Sequence, residues 1–117
     1  MPHLIFEASS NIIASNDKIK QTMHDCQKLL VQQLPSQLDN CKSRLILHDL
    51  FVIGVERERS AFIHLTVKIT KGCDPALLAE LASQLQRLLA TDFSKSAEQL
   101  SLKISVEIVE LAASYCS

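Results

Sequence analysis

The sequence predicts an α+β domain with elements in the order β-α-β-β-α-β, one four-stranded sheet carrying two helices on a single face. Three observations predict it. Two segments, beginning near Ser15 and Asp74, place apolar residues at three- and four-residue steps behind helix-capping residue types. Apolar, partly alternating segments lie before and after each of them. The 117 residues, 47% hydrophobic and 21% charged, suit one globular domain spanning 1–117 with little room for a second.

Pro2 to Ala8 reads as the first strand, closed by the polar break Ser9-Ser10-Asn11. Ser15-Asn16-Asp17 then offers cap residue types, with the Asp17 charge well placed for the helix dipole. Ile19, Met23, Cys26, Leu30 and Leu34 form the buried stripe, and Pro35 ends the helix. Ser36 to Asn40 is polar and turn-like. Ser43 to about Ile53 is apolar and β-branched, a second strand expected to be covered on much of both faces. Gly54 to Arg59 alternates in charge and reads as a solvated turn. In the third strand Ala61, Ile63, Leu65, Val67 and Ile69 face one way, and Phe62, His64, Thr66, Lys68 and Thr70 the other. Gly72 breaks it. Asp74-Pro75 starts the second helix as cap and first residue, and Leu77, Leu78, Leu81, Leu85, Leu88 and Leu89 supply its stripe. A polar stretch from Thr91 to Gln99 leads to the last strand, where Leu100, Leu102, Ile104, Val106 and Ile108 alternate with polar residues.

Composition excludes several classes of partner. A net charge of -1 argues against nucleic acid or an anionic membrane, and 4% aromatics leaves few stacking platforms for single-stranded RNA. No apolar run approaches the roughly 20 residues of a membrane span, and no signal peptide opens the chain. Cys26, Cys41, Cys73 and Cys116 are scattered and form no CxxC pair, which fits reduced thiols in the cytoplasm. His3, His24, His48 and His64 share no metal-ligand spacing, so no metal is expected. His3 is expected to face away from Pro2 and to be structural.

Pro2 is the residue with a chemical possibility of its own. Once Met1 is removed, its nitrogen becomes a secondary amine that can accept a proton, which an internal proline amide cannot. A free terminal amine titrates at about 7.7 to 8.0, and burial or a nearby cation lowers that toward the working range of a general base. Pro2 can equally be a rigid strand beginner whose missing N–H does no harm. The second sheet face, with Phe62, His64, Thr66 and Lys68, is too mixed for bulk water and too polar for a core. It suits packing between subunits.

Three stretches carry a resemblance. Pro2-His3-Leu4-Ile5-Phe6-Glu7 with Ser10-Asn11-Ile12, then Ala61 to Ile69 (AFIHLTVKI), and finally Leu102 to Leu111 (LKISVEIVEL) are similar to the 5-carboxymethyl-2-hydroxymuconate delta-isomerase family of the tautomerase superfamily. The resemblance spans nearly the whole chain. It implies a homotrimer with sheets inward and helices outward, and a small carboxylate substrate. It implies an N-terminal proline, Pro2, acting as base without a cofactor. In the family reaction the proline takes a proton from a dienol hydroxyl and a proton is delivered to carbon, giving the conjugated ketone. Two positions where the known isomerases carry substrate-contacting arginines fall on Lys42, beside Arg44, and on Cys73. Lysine keeps the charge without the bidentate fork, and cysteine keeps neither. Lys71, two residues before Cys73, is the available replacement, so Lys42, Arg44 and Lys71 are the candidate substrate-binding cations. Arg57 and Arg59 are the other cations weighed, with a solvated role expected. Two further readings stand beside the isomerase. One is a catalytically silent trimer of the same fold that binds a small anion. The other is a ferredoxin-like interaction module in which Pro2 has no chemical role.

Overall fold

The computed structural model of the chain describes residues 2–55 and 58–117, so the expectations placed on Met1 and Arg57 lie outside it. The elements are β1 (His3–Ser9), α1 (Asn16–Gln33), a single 3₁₀ turn (Leu38–Asn40), β2 (Lys42–His48), β3 (Ser60–Ile69), α2 (Pro75–Asp92), α3 (Ser94–Gln99) and β4 (Ser101–Glu110). They build one sheet in the order β2-β1-β3-β4. β1 runs parallel to β2 with His3 opposite Lys42, and antiparallel to β3 with His3 opposite Lys68. β3 runs parallel to β4. The molecule is therefore two β-α-β units joined along an antiparallel seam between their first strands. In a split β-α-β unit another strand would separate β1 from β2, and here they are direct neighbours. That topology rules out the ferredoxin-like module.

The capping expected from sequence is present. Ser15 Oγ accepts the Lys18 N–H at 3.1 Å, and Asp74 Oδ1 accepts the Ala76 N–H at 3.1 Å just behind Pro75. Leu34, held extended at φ −118° by the proline after it, ends α1. Both helices lie on one sheet face. Leu4, Phe6 and Ala8 of β1 and Ile63, Leu65, Val67 and Ile69 of β3 meet Ile19, Cys26 and Leu30 of α1 and Leu81, Leu85 and Leu89 of α2. Each fully buried leucine in this layer contributes roughly 1.5–3 kcal/mol of transfer free energy.

Two sequence expectations are corrected. The second strand stops at His48 instead of Ile53, because β1 ends at Ser9 and offers no partner beyond the Ser10 N–H to His48 O bond of 3.0 Å. It is also an edge strand, and the expected cover on both faces is not supplied within the chain: Ile46 and Leu47 are 46% and 49% exposed. Past it, Leu50, Val52 and Val55 stand out at 94%, 67% and 76%. The polar stretch from Thr91 contains the end of α2 and the short helix α3. Phe93 is buried at the corner between them, and Ser96 turns a buried hydroxyl onto both backbone groups of Ile13, at 2.8 Å to its N–H and 3.1 Å to its carbonyl. Among the described residues, no helix is long and apolar enough to cross a membrane.

The face away from the helices is as mixed as its sequence suggests. His48 Nε2–H donates to Glu7 at 3.0 Å. His64 Nε2–H donates to Glu107 at 3.2 Å while its Nδ1 accepts the Ser105 hydroxyl at 2.6 Å. Phe62 sits between Phe51 and the His48 ring.

Candidate active site

The topology decides what surrounds Pro2. Because β1 and β3 are antiparallel, the start of β1 lies beside the end of β3, and the return of α1 brings its C-terminal end there as well. Pro2 is buried, and its carbonyl accepts the Lys42 N–H at 3.1 Å, which ties it to β2. It opens on a cavity of about 200 Å³. Leu34, Pro35 and Ser36 wall this cavity from the end of α1; Ile69, Thr70, Lys71 and Cys73 wall it from the segment joining β3 to α2.

That second wall is moored. Gly72 has φ +103°, a conformation that glycine adopts without strain, and its N–H donates to Glu110 Oε2 at 2.9 Å. The Leu111 N–H reaches Ile69 O at 2.7 Å. Residues 70–73 are thereby held against the end of β4, with Lys71 exposed at the rim and Cys73 half-buried as a free thiol.

Of the sequence-predicted residues, the structure brings Pro2, Lys71 and Cys73 together. Among the described residues that wall the cavity, Lys71 is the one cation. Lys42 and Arg44 lie on the neighbouring strand, and by the pleat their side chains share the helix-free face with His3. There Arg44 Nη1 donates to His3 Nδ1 at 3.1 Å, and His3 Nε2 meets the Tyr115 hydroxyl at 2.8 Å. Desolvation, with the Arg44, Lys42 and Lys68 charges, holds the His3 pKa below its ordinary value. The ring is therefore neutral at neutral pH, accepting from Arg44 and donating to Tyr115. His3 faces away from Pro2, as alternation predicts.

Sequence reading missed Ser36, which it left in a polar turn. Its Oγ is buried and has no hydrogen-bond partner among the described residues. A larger depression of about 660 Å³ lies between the start of α1 and the α2–α3 corner. Its acid is already engaged, Asp92 being 2.7 Å from the Thr22 hydroxyl and 3.8 Å from Lys18 Nζ. No group of three His, Cys, Asp or Glu side chains among the described residues could hold a metal ion.

Two β-α-β units sharing an antiparallel seam, with a buried proline at the start of a central strand, make this a tautomerase-fold protein. A 5-carboxymethyl-2-hydroxymuconate isomerase from Deinococcus radiodurans R1 superposes with a TM-score of 0.83 at 20% identity, covering 99% of this chain and 88% of that one. A macrophage migration inhibitory factor-like protein from Entamoeba histolytica gives 0.69 at 18% identity, covering 99% and 93%. A fused 4-OT symmetric trimer gives 0.72 at 13% identity, covering 97% and 91%. No curated protein sequence matches the chain. The family model for 5-carboxymethyl-2-hydroxymuconate isomerase matches residues 2–116, and the chain belongs to that family.

Proposed function

We propose that this chain is a cofactor-free tautomerase that shifts a carbon–carbon double bond in a small unsaturated 2-hydroxy or 2-oxo acid, with Pro2 as general base. The observation that carries the reading is the burial of Pro2 at a cavity that it shares with Lys71. With Met1 removed, the proline nitrogen is an amine whose charged form burial disfavours, so it is free to accept a proton. It takes the proton of the dienol hydroxyl. The O–H electron pair becomes the carbonyl, the double bonds shift along the chain, and the protonated proline gives its proton to the distal carbon, which restores the free amine. Lys71 holds a substrate carboxylate and stabilises the enolate-like charge, and the apolar walls from Leu34, Pro35 and Ile69 limit water.

The protein is proposed to work as a homotrimer in the cytoplasm. The exposed Leu50, Val52 and Val55 support subunit packing. Lys42 and Arg44 project from the helix-free face, and in the proposed trimer their role would be to hold a neighbouring subunit's substrate. One observation favours a second reading, a silent trimer binding a small anion: Cys73 walls the cavity where the family's second arginine falls.

The test is ultraviolet-monitored ketonisation of 2-hydroxymuconate by protein verified by mass to begin at Pro2, with Pro2→Ala beside it. The expected result is accelerated loss of the dienol band in the wild type and background rate in the variant. Background rates in both would reject the enzyme reading for this substrate class and leave the silent trimer. Sedimentation at equilibrium reads the subunit count, and a monomer at micromolar concentration would refute the trimer.

A further inference from the structure

The wall of the cavity beside Pro2 includes a polar residue whose side chain is unmet. It is Ser36, and Ser36 Oγ is shielded from solvent with no donor or acceptor to meet it among the described residues. Buried hydroxyls in folded proteins nearly always have a partner, so one without calls for an explanation. The backbone around it is held firmly. The Ser36 N–H donates to Leu34 O at 2.8 Å, an i to i+2 bond that closes a three-residue turn about Pro35. The φ of an inverse γ-turn's central residue is close to the value that proline's ring imposes, so this turn is locked by the sequence Leu34-Pro35-Ser36. The side chain has no such anchor. One χ1 rotation re-aims the hydroxyl without moving the chain.

The cavity also lacks a grip. Lys71 is the single cation among its described wall residues, and a lysine ammonium cannot hold both oxygens of a carboxylate in the manner of an arginine fork. A hydroxyl donating to an ionised oxygen is among the stronger neutral-to-charged hydrogen bonds and would supply the second contact. We propose that Ser36 is a substrate-binding residue, its hydroxyl donating to a carboxylate oxygen of the acid held against Pro2, with the Lys71 ammonium as the charge partner. This rests on the tautomerase reading for the site, but its test does not require turnover.

The probe is cis,cis-muconate, an unsaturated dicarboxylate without the 2-hydroxyl that the reaction consumes. It is titrated calorimetrically into proline-first wild type, Ser36→Ala, Ser36→Thr and Lys71→Ala. Ser36→Ala is expected to weaken binding about tenfold, while Ser36→Thr, which keeps the hydroxyl, stays within about threefold of the wild type. With 2-hydroxymuconate, Ser36→Ala raises KM by a similar factor and leaves kcat within about twofold, since the contact is made in ground and transition states alike. Unliganded Ser36→Ala melts at or above the wild-type temperature, because the hydroxyl it loses had no partner; a structural serine would lower it. Unchanged muconate affinity in Ser36→Ala, or no binding to the wild type, overturns the proposal. The two readings fail separately. Serine-dependent binding without turnover would refute the proline base alone. Turnover abolished by Pro2→Ala but indifferent to Ser36→Ala would refute the serine alone.

Discussion

Gly72→Ala tests whether the segment that carries Lys71 and Cys73 is held by backbone geometry. A Cβ built at Gly72 meets nothing within 4 Å, so the substitution introduces no clash. What it introduces is conformational. At φ +103° the residue lies beyond the narrow left-handed well near +60° that L-residues can enter. Holding alanine there costs about 2 kcal/mol, within the usual 1–3 kcal/mol for a strained backbone residue. With a urea slope of about 2 kcal/mol per molar, the unfolding midpoint falls by about 1 M. Gly54 provides the comparison, since its Cβ also meets open space but its φ of +56° falls inside the well. Gly54→Ala should therefore cost roughly 1 kcal/mol. Relief of the strain at Gly72 would break its 2.9 Å bond to Glu110 and move the wall of the Pro2 cavity, so cis,cis-muconate affinity should fall with it. Urea unfolding followed by circular dichroism, at one fixed protein concentration, gives both midpoints. Gly72→Ala within 0.5 kcal/mol of wild type, or less costly than Gly54→Ala, would show the reasoning to be wrong.

Three other expectations follow from the packing and the charges. Leu65→Ala, at a position with no exposed surface, should cost about 2–5 kcal/mol in the same urea assay, and a loss under 1 kcal/mol would mean that the layer between sheet and helices closes over the gap. Thiol labelling at pH 8 should modify the exposed Cys116 first and leave Cys26, pushed up to about 12 by burial and the nearby Asp92 and Asp25, silent until the chain unfolds; mass-mapped peptides give the order. The His3 pKa lies below 6.5 in the folded state, so folding releases protons at acid pH. Stability from the neutral ring is complete above the unfolded value of 6.5 and is lost as pH falls through and below it. The urea midpoint should fall between pH 7.5 and 5, and fall less in His3→Gln; parallel curves would exclude His3 as the group responsible.

The sequence disclosed the fold where local chemistry and tertiary packing agree. Ser15 and Asp74 cap their helices, and strict alternation over Ala61 to Ile69 matches the burial of β3 residue for residue. It misled where a pattern depends on a distant partner. The apolar run to Ile53 looks like one long strand, but pairing stops with β1 at Ser9, a limit that nothing in the run itself encodes. α3 escaped notice because it is short and polar, its place set by Phe93 and by the bond from Ser96 to Ile13 across the fold. The sequence named Pro2 from its position and Lys71 from the segment it shares with Cys73, and the two wall one cavity. Ser36 was not named. Its interest arises from a buried hydroxyl without a partner among the described residues, which is a property of three-dimensional surroundings and leaves no mark on spacing or composition.

The position of β1 between β2 and β3 also has a consequence in time. This strand is synthesised before both of its neighbours, and in chain order its ladder partners begin at Lys42 on β2 and at Ile63 on β3. A chain still emerging from the ribosome can close the β1–β2 half while the other edge of β1 waits, with its backbone groups unpaired, for β3 to appear. The cavity beside Pro2 needs Ile69 to Cys73 and so comes into being only after more than half of the chain has been made. Pairings between residues so far apart in sequence are slow to form, and a tag or fusion partner is better tolerated after Ser117, beyond β4, than ahead of the buried Pro2.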